Sequence, residues 1–191
     1  TMVFVSDTER FSKALALDCL KDVRVISSHV DNSGDVIAFS EMAATTANET
    51  LDLAHRNVGP DSVAKILFTS GSTSHPKGVI TTQRMMCVNQ IQLVQSLPFL
   101  KDRPPKILDW LPWNHVFGGS HNFNMMLANG GSLYIDDGRP VGDAFKRSIE
   151  NLRQHPGTLA FNVPLGFSLL VDAMSTDQNL KTQFFQDLDL L

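Results

Sequence analysis

The chain has 191 residues, 42% of them apolar and 19% charged, the balance of a folded globular protein: one domain's worth, or a piece of a larger domain. The formal charge of -4, without any lysine or arginine block, leaves no footprint for a nucleic-acid backbone, so no nucleic-acid partner is expected. No apolar run is long enough for a membrane span and no signal-peptide pattern opens the chain; with Thr1 as first residue, the true N-terminus is expected to lie upstream.

In chain order, residues 2–5 predict a first strand. Ser6 and Glu9 then stand at capping-box spacing ahead of Phe11, Ala14 and Leu15, which predicts a helix. Strands are expected at 23–26 and 36–39, while 43–57 is polar and weakly patterned and is left open between a helix and an exposed excursion. Residues 64–68 form the next apolar run, followed by a hydroxyl-rich turn and a helix from about 82 to 97 with Cys87, Ile91 and Val94 on one stripe. Pro98, Pro104 and Pro105 stop that helix before strands at 107–110 and 132–135. Phe145, Ile149 and Leu152 repeat the helical spacing opposite Lys146, Arg147, Glu150 and Arg153. A strand at 158–163 precedes Pro164, which opens a last helix with Phe167, Leu170, Val171 and Met174 on its buried side.

Most of the strand runs lack polar alternation, which predicts strands covered on both faces. Alternating strands and helices predict an α/β fold with a mostly parallel sheet flanked by helices and right-handed crossovers. Residues 187–191 read as the start of a further element, so a cut fragment is expected. Cys19 and Cys87 are expected as buried thiols in a reducing, cytoplasmic setting.

The turn after residue 68 carries most of the chemistry. Thr69, Ser70, Ser72, Thr73 and Ser74 surround Gly71, and Pro76-Lys77-Gly78 closes the set, so amides, hydroxyls and one cation can converge on a phosphate chain. The spacing from Gly71 to Lys77 matches a Walker loop, but Pro76 precedes the lysine, Gly78 follows it, and no strand ends in a Walker B acid; a P-loop NTPase is rejected. A solvated surface turn is the plainer alternative.

A second segment, 109–124, combines Trp110, Trp113, two histidines, three asparagines and the pair Gly118-Gly119, the composition of a small-molecule pocket wall. The glycines are expected to let the backbone come close to a ligand. Zinc through His115 and His121 is not supported by their spacing, and no third ligand cluster accompanies them. A nucleophile elbow at Ser120 lacks its following glycine. For His121, a hydrogen-bonded core histidine is the plainer reading.

The string from Thr69 to Val79 resembles the phosphate-binding signature of the AMP-forming acyl-CoA synthetase, adenylation-domain and luciferase superfamily, with Ser74 where members usually carry glycine. Leu111-Pro112-Trp113-Asn114-His115 with Gly118 is similar to the superfamily's next motif, and the wider segment, with 129–138, looks most like the feruloyl-CoA synthases within it. Phe161-Asn162-Val163-Pro164 is similar to the junction that follows.

That resemblance implies an interior part of a large N-terminal domain. It implies an ATP-dependent enzyme that turns a carboxylic acid, here an aromatic one, into an acyl-adenylate and then, with coenzyme A, into a thioester. It gives phosphate binding to Thr69, Ser70, Gly71, Ser72, Thr73, Lys77 and Gly78, electrostatic catalysis to Lys77, and contact with the acid to His115, Phe117 and Gly118. Mg2+ would be needed, but the Tyr-Gly-x-Thr-Glu segment that supplies its ligand in relatives is not found, so the 191-residue chain is expected to be inactive alone and to self-associate through uncovered surfaces. A fatty-acyl-CoA ligase and a non-catalytic nucleotide- or anion-binding module remain open as alternatives.

Overall fold

The computed structural model describes residues 1–29, 36–69 and 75–191, which fall into two compact units, Thr1–Val58 and Gly59–Leu191. In the first unit, β1 (Met2–Asp7), β2 (Arg24–His29) and β3 (Val36–Ala38) form a parallel sheet in that order. β1 meets β2 in the register Met2↔Arg24 to Asp7↔His29, and β2 meets β3 from Val25↔Val36. Between β1 and β2 lies α1 (Ser12–Leu15), and after β3 come α2 (Phe39–Ala43) and α3 (Glu49–Arg56). α3 settles the open reading of 43–57 as partly helical: the Asn48 side chain accepts the Thr50 N–H at its N-terminus, Glu49 and Asp52 fill its first turn, and His55 and Arg56 its last.

The capping box at Ser6 does not form. Ser6 is taken into β1, where its carbonyl accepts from His29 Nδ1, and the following turn is tied instead by the Arg10 N–H donating to the Asp7 carboxylate at 3.0 Å. A strand that continues two residues further removes the cap from the helix it was to start, and α1 is left one turn long.

The second unit begins with a feature the sequence reading missed. β4 (Val63–Thr69) is followed not by a helix but by β5 (Lys77–Thr82), which pairs with it antiparallel from Val63↔Thr82 to Thr69↔Lys77. α4 (Gln83–Ser96) starts directly after, capped by the Thr82 hydroxyl on the Met85 N–H, and a bidentate ion pair from Arg84 to Asp61 ties its first turn to the start of β4. β6 (Lys106–Asp109) and β7 (Ser132–Ile135) pair in parallel, with a π-helical segment Val116–Asn122 and α5 (Phe123–Ala128) between them. α6 (Gly142–Gln154), α7 (Pro164–Thr176) and α8 (Gln178–Gln186) complete the unit.

The strand expected at 158–163 contracts to single parallel bridges of Leu159 with Ile107 on one side and Leu190 on the other, which also gives the chain's last residues their place. Asp177 links α6, α7 and α8: its carboxylate accepts the Leu180 N–H as a cap and receives Arg153 from the last turn of α6. These contacts hold the Asp177 carboxyl below the usual carboxylate range.

The core of the second unit is Leu100, Ile107, Met125, Met126 and Leu159, with Leu93, Val94 and Leu97 of α4 packed against it. The inward stripe of α4 therefore runs Gln90, Leu93, Val94, Leu97, one step round from the expected one; Cys87 and Ile91 face outward. Both cysteines are free and exposed, not buried. Val171 of α7 is likewise exposed, because Leu170 and Gly166 take the inward positions.

The strands are also not covered on both faces within the chain. Phe68 is 74% exposed, and Ile66, Val79, Ile80 and Ile135 each expose about half or more of their surface. The architecture is mixed α/β as expected, with an antiparallel hairpin beside its parallel pairs.

Candidate functional site

The hairpin places the two residues that flank the hydroxyl segment. Thr69 and Lys77 face each other as its last pair, so the loop's two ends are joined by strand pairing. Ser70, Gly71, Ser72, Thr73 and Ser74 lie outside the described residues. Thr69, Lys77 and Gly78 are exposed, and no ion pair holds Lys77 among the described residues. A Cβ on Gly78 would stand 3.0 Å from Ile66 of the facing strand, so glycine lets the two strands close next to the lysine.

The second segment follows β6. After Asp109 the chain turns through Pro112, and the His115 ring caps the π-helical turn, its Nδ1 accepting the Phe117 N–H at 3.2 Å while the residue stays exposed. Gly118 and Gly119 are buried, and the reason lies in the chain itself. A Cβ would come 2.7 Å from the Pro112 carbonyl oxygen at Gly118 and 2.0 Å from that of Trp113 at Gly119. The expected close approach is thus of backbone to backbone. It lets the segment fold into a wide π turn, a rare form often found at functional sites.

These two regions meet in one groove of about 560 Å3, lined by Val79, Ile80 and Thr81 of β5, Met85, Met86 and Asn89 of α4, and Val116, Phe117, Ser120 and His121 of the π turn. Of the residues singled out from sequence, Phe117 lines this groove; His115, Gly118, Lys77 and Gly78 are not among its lining residues. Phe117, His121 and Phe161 pack edge to face, at ring centroid distances of 4.9 to 6.1 Å.

Behind the groove runs a polar chain that sequence reasoning did not find. Asp109, the last residue of β6, is buried; its Oδ1 accepts the Leu111 N–H at 3.0 Å, and its Oδ2 accepts from Asn122 Nδ2 at 2.9 Å. Asn122 has no exposed surface, and its Oδ1 lies 2.8 Å from His121 Nδ1. Burial pushes the Asp109 carboxyl above the ordinary carboxylate range, opposed by the Asn122 and Leu111 hydrogen bonds and by nearby His121, while Asp136 adds to the rise. Asp136 follows β7 and is satisfied by the Gly138 N–H and Asn151 Nδ2.

Two carboxylates thus sit at the carboxyl ends of adjacent parallel strands, the edge at which open α/β sheets bind ligands. A charged residue closing an apolar strand was the available signal, contrary to the expectation that no strand ends in an acid; the contact to Asn122 was not, because it depends on the π turn. Nearby, Trp110 Nε1 donates to Asn162 Oδ1, which also accepts the Val163 N–H and so holds the start of α7.

A fold of parallel strands with a loop-bearing hairpin against an aromatic, histidine-bearing turn defines the class. The chain belongs to the AMP-binding enzyme family, whose model matches residues 1–189. It is similar to 4-coumarate-CoA ligase 1 of Narcissus pseudonarcissus, 29% identical over 119 residues, covering 60% of this chain and 21% of that protein. It is also similar to long chain acyl-CoA synthetase 8 of Arabidopsis thaliana, 32% identical over 101 residues, covering 50% and 13%. Its fold matches that of ATP-bound MatB from Rhodopseudomonas palustris with a TM-score of 0.65 at 21% identity, over 94% of this chain and 33% of that one. The chain spans less than half the length of each of these relatives.

Proposed function

We propose that the chain is part of the N-terminal adenylation domain of an AMP-forming acid–thiol ligase. The observation that carries this reading is the shared groove: the strand leading from Lys77 and the turn leading from His115 line the same space. A carboxylate attacks the α-phosphorus of ATP, giving acyl-adenylate and pyrophosphate, and the thiol of coenzyme A then displaces AMP to form the thioester. In the first step Thr69, Ser70, Gly71, Ser72, Thr73 and Gly78 hold the phosphates, and Lys77 offsets the charge that builds on the departing pyrophosphate, a task of positioning and electrostatics rather than of nucleophilic catalysis. His115, Phe117 and Gly118 shape the acid's side of the site.

We assign an aromatic, hydroxycinnamate-like acid to the groove, supported by the edge-to-face set of Phe117, His121 and Phe161 and by the likeness to a 4-coumarate ligase. A fatty acid is the second reading, favoured by the aliphatic lining of Val79, Ile80, Met85 and Met86. For Mg2+, no group of three His, Cys, Asp or Glu side chains among the described residues fits a metal ion, so no step is assigned to it here. The 191-residue chain alone is inactive on this reading and self-associates through faces such as that carrying Phe68, which light scattering would detect. Among the described residues no helix is long and apolar enough to cross a membrane, and the free cysteines suit a cytoplasmic enzyme.

The deciding experiment follows pyrophosphate release by the intact protein with ATP, coenzyme A and either hydroxycinnamates or fatty acids. Release with the first group and a loss of about a hundredfold in Lys77→Ala are expected. Nucleotide binding without release from any acid would replace the ligase with a binding module.

A further inference from the structure

The hydrogen-bond pattern behind the groove fixes the character of the atom at its wall. Asn122 turns Nδ2 toward Asp109 Oδ2, which accepts from it at 2.9 Å. Its Oδ1 therefore faces His121 Nδ1, and an amide oxygen can only accept, so Nδ1 carries the proton. In neutral imidazole the second nitrogen, Nε2, is then a bare acceptor. It has no partner among the described residues, and the ring lines the groove. Ser120 lines the same groove, and its Oγ is buried and without a hydrogen-bond partner. A groove whose polar lining is Thr81, Asn89, Ser120 and His121 thus holds one oriented acceptor and, on the adjacent residue, a hydroxyl without a partner.

From this we infer that His121 is a specificity-determining residue which accepts a hydrogen bond from a hydroxyl on the bound acid, with Asn122 and Asp109 as positioning residues that hold its proton on Nδ1. The substrate class is an acid whose apolar, ring-bearing body carries a hydroxyl donor. This deepens the ligase reading above and rests on it for the identity of the acid, but the orientation of His121 does not. A site built to bind a hydroxyl rejects the analogue lacking it, since its own polar groups are then left unmatched.

The test uses the intact protein with 4-hydroxycinnamate and with cinnamate, which differ by that one hydroxyl. The wild type is expected to favour the hydroxylated acid in kcat/KM for pyrophosphate release by about tenfold to a hundredfold, mostly through KM. In His121→Phe the ratio falls to near one, and in Asn122→Leu it falls in part. Should His121→Phe fail to fold, His121→Gln serves, its amide free to present either a donor or an acceptor, and the ratio is expected to drop by at least threefold. Nitrogen NMR of the imidazole is expected to show the proton on Nδ1 in the wild type and a mixture of tautomers in Asn122→Leu, which a merely structural role would not produce.

An unchanged ratio in the His121 variants, or a proton on Nε2 in the wild type, overturns the inference while leaving the ligase reading intact. If neither acid supports pyrophosphate release, the ligase reading fails. The same comparison is then made by calorimetric binding of the two acids, where equal affinities overturn the inference as well.

Discussion

Gly119→Ala tests whether the π turn is held by backbone contact. The added methyl would stand 2.0 Å from the Trp113 carbonyl oxygen, 2.9 Å from its carbonyl carbon and 3.2 Å from its Cα. All three are backbone atoms, so no side chain can rotate away and the turn must open. Overpacking by one methyl usually costs 1–3 kcal/mol; with fixed backbone on the far side the upper end applies, about 3 kcal/mol. For a chain of this size that corresponds to a fall in melting temperature of about 10 °C. The control is Gly59→Ala, where nothing lies within 4 Å and the backbone angle is ordinary, and the expected change is within about 0.5 kcal/mol. Scanning calorimetry of both variants decides the matter. A Gly119→Ala protein that melts within about 2 °C of the wild type would show that the turn is not closed against Trp113, and the groove wall would have to be redrawn.

Ile107→Ala empties a position with 0% exposure at the centre of the core and should cost about 4 kcal/mol, measured by urea unfolding; a loss under about 1.5 kcal/mol would mean the core is loosely packed there. Asp109 has a raised carboxyl, so its contribution to stability is present at pH below its unfolded value and is lost as pH rises through its folded value. The wild type should therefore lose stability relative to Asp109→Asn across that acid range, and a parallel pair of curves would exclude a buried charge. Asp177 has the opposite sign: its contribution is present at higher pH and fades as acid protonates it, so Asp177→Asn should flatten the acid limb of the stability curve. His115→Ala removes the cap on the Phe117 N–H and should cost about 1 kcal/mol, with His115→Asn recovering most of it; equal losses in the two variants would deny the cap.

Much of the fold was legible where a segment's own pattern decides its structure. Ser132–Ile135 forms the strand expected, and Pro164 opens α7. Local pattern failed where a distant partner overrides it. The run after Lys77 reads as an approach to a helix, yet β4 recruits it as a strand because Ile66, Leu67 and Phe68 present a free edge beside it. Ser6 and Glu9 have cap spacing, but pairing with β2 takes Ser6 first. Burial was misjudged at Cys87, where the stripe assumed for α4 lay one residue off the face that Leu93 and Leu97 turn to the core. The candidate site divides in the same way: the loop and aromatic turn stood out by composition, while the Asp109–Asn122–His121 chain joins residues 13 apart through a π turn that no periodicity announces.

The two imidazoles of that turn have opposite polarity. His115 spends its Nδ1 lone pair on a backbone amide, so its remaining nitrogen is an N–H that can only give. His121 commits its Nδ1 proton inward, so its remaining nitrogen can only take. Six residues apart, the same side chain is thus made into a donor at the mouth of the turn and an acceptor within it.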